Sequence, residues 1–195
     1  NIVMWHRNPD TIERLKQSNQ HYLIPELKFP KNIDFTNDIS YAISASNIVV
    51  LGLPSHTIRM LLRNNKHSFN YKQTIVNISK GIENDTLMTI SEVIVDVLGV
   101  NFKKIVTLSG PSHAEEVIRN HPTMLVAASN HIEAGIAVQN IFSTNMLRTY
   151  LNDDIKGVEL GGSMKNVIAI AAGICDGIGY GDNSKAALMT RGMAE

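Results

Sequence analysis

Cysteine occurs once in the 195 residues, at Cys175, so no disulfide can close within the chain and a reducing cytoplasm is the setting it fits. Its neighbours, AAGICDG, mark it as a small buried residue rather than a reactive thiol. Net charge is also lacking, because 18 Lys and Arg balance 18 Asp and Glu. With no global field to draw in nucleic acid or an anionic membrane, any anionic partner must be held by a local site. No apolar run approaches the roughly 20 residues needed to span a bilayer, and no basic-then-apolar leader opens the chain, so no membrane insertion is expected. Internal repeats and low-complexity linkers are missing too, which excludes a repeat architecture.

What is present is a composition of 44% hydrophobic and 18% charged residues, enough to bury at least one substantial core. Short β-branched runs recur at IVMW (2–5), NIVVLGL (47–53), TIVNIS (74–79), KIVTLS (104–109), TMLVAAS (123–129) and LRTYL (147–151). Helical patterns fill the gaps: PDTIERLKQSN with Asn8 as N-cap, SHTIRMLLRNN, DTLMTISEVIVDVLG and HIEAGIAVQNIFS. This alternation predicts an α/β fold with a doubly wound, Rossmann-type, mostly parallel sheet. From about residue 156 the strand signals stop, and helix, glycine-rich loop and helix follow, the start of an all-helical C-terminal domain. Both ends read as unfinished, since NIVMW is already strand-like and LMTRGMAE stops within a helical pattern.

In doubly wound sheets ligands bind beyond the carboxyl ends of the strands, so the residues there are the informative ones. After the first strand stands WHRN. An acidic residue near this point selects the ribose 2′-hydroxyl of NAD, whereas Arg7, with His6, favours the 2′-phosphate of NADP; a solvated surface arginine is the alternative. The G-x-G-x-x-G fingerprint that normally precedes such a strand is absent. After the second strand, Pro54 and Ser55 break the strand and cap a helix. After TIVNIS, Lys80 beside Gly81 can bring a point charge to a ligand phosphate while the backbone approaches closely. After KIVTLS comes GPSHAEEV, in which Gly110 and Pro111 set a turn, Ser112 is placed to cap a helix, and His113 is a surface residue at the helix start.

The segment GVELGGSMKNVIAIAAG (157–173) places Gly161, Lys165, Ala169 and Gly173 four apart, one helical face with a lysine among small residues. That face predicts close approach of another backbone or a ligand, with tight helix packing as the alternative. A partly desolvated lysine has a lowered pKa and can act as general acid or base near neutral pH.

In order and spacing, WHR, SKGIE, LSGPSHAEEV and GVELGGSMKNVIAIAAGICDGIGYGDNSKAALMTRGMAE closely resemble the bacterial NAD(P)-dependent glycerol-3-phosphate dehydrogenases. The resemblance runs over nearly the whole chain. It implies interconversion of dihydroxyacetone phosphate and sn-glycerol 3-phosphate in the cytoplasm with NADPH or NADH, NADP favoured, the product feeding phospholipid synthesis. By the same resemblance Lys165 is the catalytic acid/base and Lys80 touches both cofactor and substrate. Gly110 and Ser112 bind substrate, Asn166 orients Lys165 or substrate, and Ala114, His6, Arg7 and Tyr22 contact the cofactor. Arg191 is structural, and no metal ligand set is assigned. Residues 1–155 then form the dinucleotide-binding domain, without the family's first strand and glycine loop, and residues 156–195 begin the helical substrate domain. The later segment that completes the family's phosphate site is also missing, so this segment alone is expected to lack a full pocket. The expected partner is a small phosphorylated molecule, with a homodimer the default among oligomers. A hydroxy-acid dehydrogenase of similar build and a non-catalytic dinucleotide sensor are the competing readings; LSGPS and GYGDN argue against the first, and two retained lysines against the second.

Overall fold

The computed structural model describes residues 1–21, 23, 24 and 26–194. Strand β1 (Ile2–Trp5) leads into helix α1 (Pro9–Ser18), whose start follows from local chemistry. Asn8 Oδ1 accepts from the Asp10 amide at 2.8 Å, and Pro9 sits where a missing N–H costs nothing. Ile12 and Leu15, one helical turn apart, bury against Phe29 and Phe35. Strand β2 (Ile33–Thr36) pairs in parallel with β1, and the short helix α2 (Ile39–Ser44) follows, capped by the Asp38 side chain. Neither β2 nor α2 stands out in the sequence, because IDFT interrupts its apolar residues with an aspartate and the six residues of α2 are too few to display a helical period.

The second sheet has the order β3-β4-β5-β6-β7, made of β3 (Ile48–Leu51), β4 (Thr74–Asn77), β5 (Ile105–Ser109), β6 (Thr123–Ala128) and β7 (Leu147–Asn152). All its pairings are parallel except β5 with β6. The pairs β2-β1 and β3-β4-β5 reproduce the two flanks of the doubly wound order 3-2-1-4-5-6. Successive residues of β4 serve opposite layers. Ile75 packs with Ile58 and Leu62 of α3 (Ser55–Asn64) and Ile94 of α4 (Ile90–Leu98), while Val76 packs with Ala134 and Val138 of α6 (Ile132–Phe142). The Rossmann-type sheet covered by helices on both faces is therefore as the sequence predicts.

Three local expectations are corrected. The helix expected from Asp85 starts at Ile90: Leu87 has a left-handed φ of 57°, and the Thr89 and Glu92 side chains close a capping box that sets the first turn. Ser55 is the first residue of α3 rather than its cap, and Pro54 occupies the cap position without a side-chain bond. Cys175 is half-buried rather than buried.

The chain ends in α7 (Ile155–Gly177) and α8 (Asp182–Ala194), the helix, loop and helix read from the sequence. By length and composition α7 could cross a membrane, contrary to the expectation that no apolar run is long enough. Its first turns instead pack on α4, β5 and β6, with Ile155 and Glu159 buried in the protein.

A charged cluster ties the loop before α4 to α3. Arg59 Nε donates to both carboxylate oxygens of Glu83, at 2.7 and 2.9 Å, and its Nη1 pairs with Asp96. With Glu83 and Arg59 side chains only 11% and 14% exposed, water screens the pair little. Arg59, then the Thr86 hydroxyl, hold the Glu83 carboxyl below its ordinary 4.5. Because the folded state favours the ionised form, the stability this provides is complete above about pH 4.5 and is lost as pH falls through the lower folded value. Glu83→Gln should cost about 2 kcal/mol near neutrality. Thermal unfolding between pH 3 and 6 should then show a shallower acid-side fall for the variant; parallel curves would count against the cluster.

Candidate active site

Three chain segments leave the sheet at the carboxyl ends of parallel strands and carry the residues singled out from the sequence. After β1, His6 is held by backbone pairing to Thr36, 3.1 Å, and its Nδ1 accepts from the Asn8 amide at 3.1 Å. Arg7 follows, exposed and without a neighbouring carboxylate in WHRN.

After β4 the chain is braced by side chains. Asn77, fully buried, accepts from the Ser79 amide through Oδ1 at 2.9 Å. The Ser79 hydroxyl donates to the Leu51 carbonyl and accepts from the Leu53 amide, both at 3.2 Å, which stitches this turn to the end of β3. Lys80 projects from the braced turn, and Gly81 leaves it at φ 117°. Burial against its surroundings, and next the positive charge of Lys165, push the Lys80 ammonium below its ordinary 10.5.

After β5, Gly110 adopts φ 152°, and a Cβ there would stand 2.6 Å from the Met124 carbonyl oxygen of β6. Only glycine allows the turn to pass this close to the neighbouring strand. Its carbonyl receives long contacts of 3.5 Å from both Lys80 Nζ and Ser112 Oγ, so these donors are weakly engaged and available to a ligand. The expectation that Ser112 caps the next helix is corrected. Helix α5 (Ala114–Ile118) has His113 in the cap position with no side-chain cap, and the exposed His113 side chain pairs instead with Glu115 at 3.0 Å. Ala114 is exposed at the start of α5. Tyr22 lies outside the described residues.

Helix α7 crosses over the end of β5. A Cβ at Gly162 would lie 3.0 Å from Ser109 Oγ, so the helix backbone rests on the last residue of the strand. The close approach is thus at Gly162 and not at Gly161 or Gly173, where a Cβ would meet nothing within 4 Å. Lys165, one turn further on, comes close enough to Lys80 for its charge to be felt there. The expected desolvation of Lys165 is not found: Lys165 and Asn166 are exposed, as are Val167 and Ile170 on neighbouring faces. Arg191 lies on α8 and makes contacts of its own.

The most completely bonded group at this end of the sheet is one that the sequence reading passed over. Glu159, 6% exposed, receives Asn77 Nδ2 at 3.1 Å, the Ser91 amide at 3.0 Å and Thr107 Oγ1 at 3.0 Å on one oxygen. Its second oxygen accepts from Ser91 Oγ at 2.6 Å. These partners are neutral donors, and the N-terminal dipole of α4, where Ser91 sits in the first turn, supplies the favourable field. The available signal was the spacing of Ile155, Glu159 and Gly162, an i, i+4, i+7 face carrying a carboxylate where apolar residues are usual.

The family model described as NAD-dependent glycerol-3-phosphate dehydrogenase N-terminus matches residues 1–135, and the corresponding C-terminus model matches residues 154–195. The glycerol-3-phosphate dehydrogenase [NAD(P)+] of Clostridium perfringens is 49% identical over 100% of this chain, which covers 58% of that relative. The corresponding protein of Clostridium tetani is 47% identical, with 56% of its length covered. This chain thus spans a little over half the length of these relatives. The solved glycerol-3-phosphate dehydrogenase of Coxiella burnetii superposes with a TM-score of 0.87 at 29% identity, covering 100% of this chain and 59% of that one. A Plasmodium falciparum structure of the same description has a TM-score of 0.91 at 20% identity, with 100% and 55% covered, a likeness of fold. Two family models that together take in all but the 136–153 stretch place the chain, on sequence and fold alike, in the NAD-dependent glycerol-3-phosphate dehydrogenase family.

Proposed function

We propose that the protein to which this chain belongs interconverts dihydroxyacetone phosphate and sn-glycerol 3-phosphate with NAD(P)H, in the cytoplasm, supplying glycerol 3-phosphate for phospholipid synthesis. The observation that carries this reading is that Lys165 of α7 stands near enough to Lys80, just beyond β4, for its charge to act on Lys80 at the carboxyl ends of the sheet strands. Two neighbouring ammonium groups repel, an anion between them offsets that repulsion, and a phosphorylated ketone is such an anion. Residues 1–155 act as the dinucleotide-binding part, and residues 156–195 open the helical substrate part.

The donor set suits a dinucleotide phosphate. Arg7 stands at the end of β1 with no acidic residue beside it, which fits the 2′-phosphate of NADP better than a free ribose hydroxyl. His6, Arg7 and Ala114 would hold the cofactor, and Lys80 would reach both cofactor and substrate. When bound, the reduced nicotinamide supplies the hydride to the carbonyl carbon. As that carbon gains hydride its C=O π bond breaks, and Lys165 gives a proton from its ammonium to the oxygen that would otherwise become an alkoxide. The lysine is left as a neutral amine and regains a proton from solvent, to which it is open. In the reverse direction the amine takes the hydroxyl proton. Gly110 and Ser112 bind substrate beside Lys80, and Asn166, next to Lys165, orients lysine or substrate.

In the full-length protein, Lys165→Ala should lower kcat by a hundredfold or more, on the order of the general acid contribution, with NADPH affinity within about threefold. Unchanged turnover would remove Lys165 from the chemistry. NADPH oxidation by a keto acid and not by dihydroxyacetone phosphate would overturn the substrate assignment.

A second outcome concerns charge. Lys80 is held down first by burial and second by Lys165, so Lys165→Ala should raise its titration part of the way back towards 10.5. NMR of the labelled lysine side chains checks this, and an unmoved Lys80 would mean that the two groups do not meet. In the intact enzyme the KM for dihydroxyacetone phosphate should accordingly rise with pH earlier than an ordinary lysine would dictate.

A further inference from the structure

The carboxyl group of Glu159 is buried, hydrogen-bonded through both oxygens, and reaches neither of the lysines through any hydrogen bond that it accepts. Each of its partners nevertheless belongs to a segment that carries a site residue. Asn77 holds the turn that presents Lys80, through the Ser79 amide. Thr107 lies on β5, which ends at Ser109, against which Gly162 of α7 rests, and Gly110 follows. Ser91, in the first turn of α4, gives both its amide and its hydroxyl.

We propose that Glu159 is a positioning residue: by accepting from Asn77, Ser91 and Thr107 at once, it fixes the rotation and height of α7 over the sheet and so the place of Lys165 relative to Lys80. The proposal rests on the reading of Lys165 as proton donor. Packing on α4, β5, β6 and α8 and the Lys156–Glu92 ion pair hold α7 in place, but the Glu159 cluster is its one buried set of directional bonds among the described residues. Of its 23 residues only Ile155 and Glu159 are buried, with Val158 packed beside the same core, and so small an apolar contact fixes a helix rotation less sharply than directional hydrogen bonds do. Six residues separate Glu159 from Lys165, about 9 Å along the axis and roughly 120° around it, so a small rotation at the carboxylate displaces the ammonium directly. Rotation by one residue, roughly 100°, would strand the carboxylate and its donors together, so the network admits one setting.

The test is a double-mutant cycle in the full-length protein, read by steady-state kinetics with dihydroxyacetone phosphate and NADPH. Glu159→Gln keeps the shape but puts an NH2 group among donors. It should lower kcat by about 10- to 100-fold, the scale of a misplaced catalytic group, with the KM for NADPH within about threefold. In a Lys165→Ala background the same substitution should cost no more than about twofold of the residual rate, because the group it positions is gone. A kcat within twofold of the parent, or an undiminished loss in the Lys165→Ala background, would overturn the proposal. If Glu159→Gln does not fold, Thr107→Val removes one donor with little change of shape. It should give a smaller kcat loss, about three- to tenfold, that likewise vanishes without Lys165, and a loss that persists there refutes the role. Full activity of Lys165→Ala alone would instead refute the proton-donor reading on which the proposal rests.

Discussion

A carboxylate held away from water by neutral donors is the constraint on which the arrangement of this end of the molecule depends. Glu159 accepts four hydrogen bonds from three elements, the neighbouring strands β4 and β5 and the helix α4 that packs on them. Each donor left without it would be a buried polar group costing about 1–3 kcal/mol, and the carboxylate itself would cost more. The cluster is therefore all or nothing. A helix whose other faces are largely exposed is thereby seated in one register, with Gly162 resting on Ser109 and Lys165 carried over the strand ends.

The electrostatics of the site follow from that seating. Burial first, and the positive charge of Lys165 second, lower the ammonium pKa of Lys80. Stability is set aside locally for an arrangement that an anionic ligand would relieve, which is the usual sign of a functional site. The contrast with Arg59 is instructive. There a guanidinium is matched by Glu83 and Asp96, its charge is reinforced rather than weakened, and the cluster serves only to hold a loop.

How much of this could be read in the sequence depends on the range of the interactions. The strands at 2–5, 74–77 and 105–109 were legible because β-branched runs between turn residues report their own conformation. Helix α1 was legible because its cap, Asn8, lies beside it. Lys80, Gly110 and Lys165 stood out because each follows or interrupts a regular element in a recognisable motif. Glu159 did not, since its partners lie 52, 68 and 82 residues away and only the folded sheet brings them within 3.1 Å. The same limit misled the reading of Gly161 and of Lys165 itself. Four-residue spacing identifies a face but not what covers it, and the face that approaches the sheet is the one bearing Glu159 and Gly162. At α4 the local pattern from Asp85 was overridden by the capping box at Thr89 and by the tie from Glu83 to Arg59.

The most direct test of the account is a crystal structure of the full-length protein with NADPH and glycerol 3-phosphate bound. The account predicts that the Lys165 ammonium lies within hydrogen-bond reach of the C2 oxygen of the substrate. It also predicts that Lys80 touches the same molecule and that Glu159 remains held by Asn77, Ser91 and Thr107. A bound substrate whose C2 oxygen is met by some other group, with Lys165 turned to solvent, would contradict it.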